Sequence, residues 1–94
     1  MLKNYETLYI LDSQLEDEAI KELVEKFNNL ISTSAELKST DEWGKRRLAY
    51  EINKMNEGYY VLTEFSAEPT FPQELERIFK ITDGVVKYLI INKD

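Results

Sequence analysis

Residues 43–65 read WGKRRLAYEINKMNEGYYVLTEF, and this stretch decides the fold. Its two ends are rich in aromatic and aliphatic residues, whereas residues 53–58 between them are polar and end in Gly58. Two such runs around a polar turn predict a β-hairpin, whose second strand covers residues 59–66. Alternation along that strand places its members on two faces, Tyr59, Val61, Thr63 and Phe65 on one and Tyr60, Leu62 and Glu64 on the other.

The first strand of this hairpin, residues 35–50, changes phase along its length. Leu37 and Trp43 have odd numbers, whereas the apolar residues Leu48 and Tyr50 have even numbers. Because strand side chains alternate with a period of two, an extra residue must be absorbed between the two groups. Glycine adopts the backbone conformations of a bulge more readily than other residues, so we expect the bulge or bend at Gly44.

On the N-terminal side of the hairpin, residues 2–11 alternate as a strand does. Ser13 and Glu16 have the spacing of a capping box, which predicts that a helix begins near Ser13. Residues 32–34 end this helix. The helix has one apolar face, because its apolar residues recur at spacings of three and four. These residues are Ala19, Ile20, Leu23, Val24, Phe27, Leu30 and Ile31.

On the C-terminal side, Pro72 suits the first turn of a second helix. Its apolar face consists of Leu75, Ile78, Phe79 and Ile81. Residues 85–92 predict a last strand, which completes the order β-α-β-β-α-β. This is the α+β, ferredoxin-like arrangement, a four-stranded antiparallel sheet with two helices on one face. We expect residues 1–94 to form a single domain of this kind, with the other face of the sheet open to partners.

Composition excludes most enzymatic chemistry. The chain has no Cys and no His, so it offers neither a thiol nucleophile nor an imidazole base, and no Cys-based metal site. Its three glycines, Gly44, Gly58 and Gly84, do not form a dinucleotide or phosphate loop. We expect no enzymatic activity, no cofactor, no metal and no small-molecule substrate. Without a signal region or an apolar run of about 20 residues, the chain is expected to be cytoplasmic.

Positive charge is concentrated in the hairpin, although the net charge of the chain is −6. Residues 43–58 hold four Lys or Arg and two Asp or Glu, whereas acids outnumber bases in residues 1–42 and 59–94. The triplet Lys45-Arg46-Arg47 fits two interpretations. A charged strand prevents aggregation between sheet edges, and Arg side chains also bind phosphate oxygens in pairs.

The aromatic residues of the hairpin, Trp43, Tyr50, Tyr59 and Tyr60, are more typical of sheet packing than of base stacking. Residues 57–64 also depart from the signature of the RNA-recognition-motif domain at the first, fourth, fifth and last positions. Base stacking of the kind used by that domain is therefore not expected.

Residues 43–50, followed by Ile52, Lys54, residues 58–60 and Phe65, closely resemble the signature of the bacterial small-ribosomal-subunit protein six family. Tyr5-Glu6, Asp83 and Val85 fit the same pattern. The resemblance implies the ferredoxin-like fold and no enzymatic role. It also implies binding to the central domain of small-subunit ribosomal RNA together with small-subunit protein eighteen. One departure is Glu51, where many members have Pro, which places an acid beside the implied phosphate contacts.

The resemblance also implies the residues of two binding surfaces. The contacts to the RNA backbone are assigned to Lys45, Arg46 and Arg47, with lesser contributions from Lys3, Asn4, Lys54 and Lys87. The protein partner is expected on the uncovered part of the sheet, at Leu8, Tyr50, Tyr60 and Leu62. An alternative is a regulatory or ligand-binding ferredoxin-like domain that forms a homodimer through its sheet. A phosphate-loop enzyme of the acylphosphatase kind is excluded, because the glycine-rich loop is absent.

Overall fold

The computed structural model of the protein describes residues 1–52 and 55–94. The six elements follow one another in the predicted order β-α-β-β-α-β. They are β1 (Lys3–Asp12), α1 (Asp17–Ser34), β2 (Glu36–Ile52), β3 (Met55–Ala67), α2 (Phe71–Ile81) and β4 (Val85–Asn92).

The four strands form one antiparallel sheet in the order β2-β3-β1-β4, which confirms the predicted ferredoxin-like fold. Lys3 on β1 lies opposite Ala67 on β3 at one end of the sheet, which we call the far end. Asp12 lies opposite Gly58 at the other end, and β2 and β3 continue beyond it, so we call this the hairpin end. Residues 55–58 belong to β3 and not to the predicted polar turn.

The core lies between the sheet and the two helices. Tyr5, Thr7, Tyr9 and Leu11 are buried on the helix-covered face of β1, as the alternation predicts. The Tyr9 ring packs at the centre, with ring centroids 5.1 Å from Phe27 of α1 and 5.2 Å from Phe79 of α2. Aromatic pairs at such distances add to the stability that comes from burial alone. One hydrophobic cluster therefore joins β1 to both helices.

Each helix buries most of its predicted apolar face, but the buried residues at the ends of α2 differ from the prediction. On α1 the most buried residues are Ile20, Val24, Phe27 and Ile31. On α2, Leu75 and Phe79 are buried together with Phe71, which the sequence pattern places in the preceding loop. Ile81 is exposed, so the prediction that it belongs to the apolar face is wrong.

The start of α1 also differs from the prediction. The helix begins at Asp17, and its N-cap Glu16 makes no capping hydrogen bond through its side chain. The Ser13 hydroxyl instead donates to the carbonyl oxygen of Glu57 on β3, at 3.2 Å. A capping box needs that hydroxyl for the first turn of the helix, so the contact to the hairpin removes the predicted cap.

The bulge predicted at Gly44 is present. The pairing of β2 with β3 shifts by one position between Glu42 and Gly44, and Trp43 is the extra residue. Gly44 has φ of +81°, a left-handed conformation that glycine adopts without steric strain. As a result, the Trp43 ring lies against Tyr60 on the face that the helices leave uncovered. A second shift, between Leu37 and Ser39, has no counterpart in the predictions.

Candidate functional site

The sheet face away from the helices, which we call the open face, carries an apolar strip. Leu8 on β1 lies between Leu62 on β3 and Leu89 on β4. Ile91 extends the strip on β4, opposite Glu6. Leu89 is 52% exposed and Ile91 is 42% exposed, which makes them the most accessible part of this apolar strip. Neither exposure was predicted, because residues 88–91 are apolar on both faces of the strand and so show no alternation in the sequence.

At the hairpin end, the chain covers its own open face. Leu48 is buried against Gly58 and Ile10, and a Cβ atom at Gly58 would collide with the Ile10 side chain. Lys87 Nζ donates to the Tyr50 hydroxyl at 2.6 Å and lies 4.9 Å from the centroid of the same ring. The end of β2 therefore reaches across the open face as far as Lys87 of β4.

The triplet itself lies on β2, which is an edge strand. Lys45, Arg46 and Arg47 lie opposite Tyr59, Gly58 and Glu57 respectively, and all three cations are exposed. The Arg46 guanidinium is 5.1 Å from the centroid of the Trp43 ring. Within residues 1–52 and 55–94, none of the three forms an ion pair within 4 Å.

Two acids near the triplet, Asp41 and Glu42, bind aromatic donors instead of the cations, whereas Glu57 lies directly opposite Arg47 on β3. Asp41 Oδ2 accepts a hydrogen bond from Trp43 Nε1 at 3.1 Å. Glu42 Oε1 accepts one from the Tyr59 hydroxyl at 2.8 Å. Burial, together with this hydrogen bond to Glu42, raises the pKa of Tyr59 to about 12. The two carboxylates are thus held in place while the cations beside them stay available to a ligand.

The far end of the sheet has the opposite arrangement, centred on Asn4. Its backbone N–H and its Nδ2 donate to the Asp94 carboxylate at 2.9 and 3.1 Å. Its Oδ1 accepts hydrogen bonds from Lys38 Nζ at 3.1 Å and from the Ser66 hydroxyl at 2.7 Å. Hydrogen bonds from Asn4 lower the pKa of Asp94. Nearby, Lys93 forms an ion pair of 2.9 Å with Glu64.

The structure does not bring all of the predicted RNA-binding residues together. Asn4 lies opposite Ser66, whereas Arg46 lies opposite Gly58. At about 3.3 Å per residue, this separates Asn4 from the triplet by roughly 26 Å, and Lys3 is more distant still. Lys3 and Asn4 therefore do not form one surface patch with the triplet, and a contact of these two residues with RNA at the far end stays a prediction. Lys87 does lie at the hairpin end, and Lys54 lies outside the described residues.

The four residues predicted for the protein partner all lie on the open face. Leu8 and Leu62 belong to the apolar strip, and Tyr60 lies under Trp43. Tyr50 is 60% exposed and accepts the hydrogen bond of Lys87.

Among the residues that the structure describes, no group of three or more carboxylates has the geometry to hold a metal ion. No helix in that part of the chain has the length and apolar character needed to cross a membrane.

Comparison with known proteins identifies the family. A sequence model of the family described as ribosomal protein S6 matches residues 4–92. The small ribosomal subunit protein bS6 of Clostridium novyi is 50% identical over 94 residues, which cover 99% of each chain. The protein of the same name from Thermoanaerobacter pseudethanolicus is 53% identical, with the same coverage.

A solved structure agrees with this assignment. The crystal structure of 30S ribosomal protein S6 from Thermotoga maritima matches with a TM-score of 0.93 and 26% sequence identity. The match covers 99% of this chain and 89% of that chain. The region matched by the family model contains all of β2, β3 and β4, and hence the hairpin on which the resemblance is based. The chain belongs to the ribosomal protein S6 family, a family of structural, non-enzymatic proteins of the small ribosomal subunit.

Proposed function

We propose that the chain binds the central domain of small-subunit ribosomal RNA together with small-subunit protein eighteen. The family assignment supplies the coarser function, which is that of a structural constituent of the cytoplasmic small ribosomal subunit of bacteria. The observation that carries the proposal is the exposed cationic triplet at the hairpin end, in a chain whose net charge is −6. Residues 1–94 serve this function as a single ferredoxin-like domain.

The RNA contacts of the hairpin end are contacts to phosphate. Lys45 and Arg47 are exposed on an edge strand, so a phosphate oxygen reaches them without any rearrangement of the sheet. Lys87 exchanges the Tyr50 hydroxyl for a phosphate, which is the stronger acceptor because it is charged. Such contacts position the protein on the RNA but carry no sequence information. Lys54 remains a member of this site on sequence grounds, whereas Lys3 and Asn4 do not.

The apolar strip supports the second half of the proposal, the protein partner. Neutralisation of phosphates supplies most of the affinity for RNA. An acidic chain with one cationic end therefore binds RNA more tightly when a basic partner supplies further phosphate contacts. Exposed Leu89 and Ile91 offer that partner an apolar contact, and Glu6 lies between Glu64 and Ile91 on the same face. Acids around an apolar strip favour a basic partner over an acidic one.

A filter-binding titration tests the proposal, with a central-domain RNA fragment and protein eighteen present. Arg46→Glu is expected to weaken RNA binding by about tenfold or more, because it reverses a charge within the triplet. Lys21→Glu makes the same charge reversal on the exposed side of α1 and is the matched control. Equal losses for the two variants would remove the triplet from the binding site.

The alternative, a regulatory or ligand-binding domain that dimerises through its sheet, would also use the apolar strip. It predicts a stable homodimer in sizing chromatography and no change when RNA and protein eighteen are added. The proposed function predicts instead that the elution of the chain shifts when both are present.

A further inference from the structure

The phosphate contacts do not use Trp43, although it lies beside the cationic triplet and contacts Arg46. The planes of the Trp43 and Tyr60 rings are only 10° apart, with centroids separated by 6.0 Å, so the two rings are stacked. Trp43 is nevertheless 37% exposed, and the Arg46 guanidinium lies 5.1 Å from its centroid. Trp43, Tyr60 and Arg46 together form what we call the aromatic ledge.

Three features fix the orientation of the Trp43 ring. The bulge at Gly44 makes Trp43 the extra residue of β2 and directs it to the open face. Tyr60 supports the ring, and Asp41 accepts the hydrogen bond of the indole N–H. Tyr60 and Arg46 already lie against the ring, so a flat ligand stacks on the part of the indole that they leave exposed and on the guanidinium plane. A surface held in this way binds flat ligands without first losing rotational freedom.

The charges around the aromatic ledge favour a phosphate-bearing ligand over an apolar protein segment. Arg46 lies on the open face, and Lys45 and Arg47, which alternate with it, project from the other side of the same strand. Because β2 is an edge strand, an RNA backbone that crosses this edge reaches the cations on both sides, and Lys87 lies at the same end of the sheet. The nearby acid Glu42 is bound to the Tyr59 hydroxyl. Nucleobases stack on aromatic rings and on guanidinium planes regardless of their identity, and their phosphates bind adjacent cations.

We propose that the aromatic ledge binds one unpaired nucleobase of RNA, stacked on Trp43 and Arg46, with the flanking phosphates on Lys45 and Arg47. This site deepens the proposed function and rests on it. It also differs from the platform of the RNA-recognition-motif domain, which uses aromatic residues in a signature that residues 57–64 lack. Here the stacking residue comes from a bulge on the edge strand.

Trp43 is the only tryptophan of the chain, so indole fluorescence reports on this site alone. The full chain is titrated at low salt with single-stranded hexaadenylate and, separately, with inorganic polyphosphate of matched charge. The proposal predicts that hexaadenylate quenches the Trp43 emission more strongly than polyphosphate, which binds the cations and moves Arg46 but stacks nothing on the ring. Equal quenching by both probes, or quenching by neither, would overturn the proposal.

Variants test the same site in the complex with the central-domain RNA fragment and protein eighteen. Trp43→Leu is expected to weaken RNA binding by about tenfold, which is within the usual range for losing one stacked base. Trp43→Phe keeps an aromatic ring and is expected to restore most of the affinity. Thermal melting followed by circular dichroism checks that each variant is folded.

The outcomes separate this proposal from the proposed function. If the two variants bind RNA equally well, or if Trp43→Leu binds like the wild type, the aromatic ledge does not stack a base. If Trp43→Leu loses protein eighteen in the absence of RNA, the ledge is a protein contact and the proposal is overturned. If the wild-type chain does not bind the RNA fragment with its partner, the proposed function fails, and the hexaadenylate titration alone decides on the ledge.

Discussion

The two ends of the sheet contain similar residues but connect them differently. At the far end, cations contact acids and amides of the same chain, as in the ion pair of Lys93 with Glu64 and the hydrogen bond from Lys38 to Asn4. At the hairpin end, cations contact aromatic rings, as Arg46 does with Trp43. Two of the acids there are bound by aromatic donors, for example Glu42 by Tyr59.

This difference shows that the number of cations in a segment does not determine which cations are available to a ligand. A carboxylate that accepts a hydrogen bond from a hydroxyl or an indole N–H keeps its charge, but it does not form an ion pair with the cations beside it. A cation over an aromatic ring gains less than it would from a carboxylate contact, so a phosphate displaces the ring readily. The cations of the far end therefore help to hold the strands together, whereas the triplet at the hairpin end makes no ion pair among the described residues.

The largest expected effect concerns the packing that holds the hairpin end in place. Gly58→Ala is expected to lower the free energy of unfolding by about 1–3 kcal/mol, because the added Cβ collides with Ile10 and presses on Leu48. Urea denaturation measures the change. Gly44→Ala is the comparison variant, since its φ of +81° disfavours alanine but no atom lies within 4 Å of the new Cβ. Wild-type stability for Gly58→Ala would show that Leu48 and Ile10 do not pack there.

The next effect tests the availability of cations at the two ends directly. Lys45→Gln combined with Arg47→Gln is expected to reduce the slope of log affinity for RNA against log salt by about 2, since two phosphate contacts are lost. Lys38→Gln combined with Lys93→Gln removes the same charge at the far end and is expected to leave the slope unchanged. Filter binding over a series of salt concentrations gives both slopes, and equal slopes would contradict the distinction between the ends.

The smallest effect concerns the acid held by Tyr59. Folding raises the pKa of Tyr59 from 10.0 to about 12, so below pH 10 the folded and unfolded states both keep the proton. Between pH 10 and about 12, only the unfolded state loses it, and the stability falls as the pH rises. Urea denaturation over this range is expected to show a shallower decline for Tyr59→Phe. Some decline remains, because burial also raises the pKa of Tyr9. Parallel curves for wild type and variant would show that folding does not raise the pKa of Tyr59.

Most of the fold was predictable because it depends on local periodicity. The alternation of residues 2–11 and the three-four spacing of α1 both correspond to the observed burial. The phase change between Trp43 and Leu48 corresponds to the bulge at Gly44, because a period of two must otherwise continue. The phase of Leu37 was misjudged, because the second shift, between Leu37 and Ser39, places Leu37 on the helix-covered face. The start of α1 was not predictable, because the Ser13 hydroxyl binds Glu57, which is 44 residues away in the sequence.

The site was predictable in part, for the same reason. Lys45, Arg46 and Arg47 are neighbours in the sequence and remain neighbours in the structure. The sequence alone does not separate Lys3 and Asn4 from them, because only the register of β1 against β3 shows that these two residues lie at the far end. The exposure of Leu89 was likewise hidden, since it depends on which face of β4 the helices cover.

The pairing of β1 with β4 also has a consequence for the order in which the protein folds. β2 and β3 follow each other directly in the sequence, whereas the Thr7 hydroxyl bonds the Leu89 carbonyl oxygen across 82 residues. Contacts between distant residues form slowly, because a long loop must close first. We therefore expect the hairpin of β2 and β3 to form before β4 docks. The apolar strip is completed last, because Leu89 and Ile91 join Leu8 only when the two ends of the chain come together.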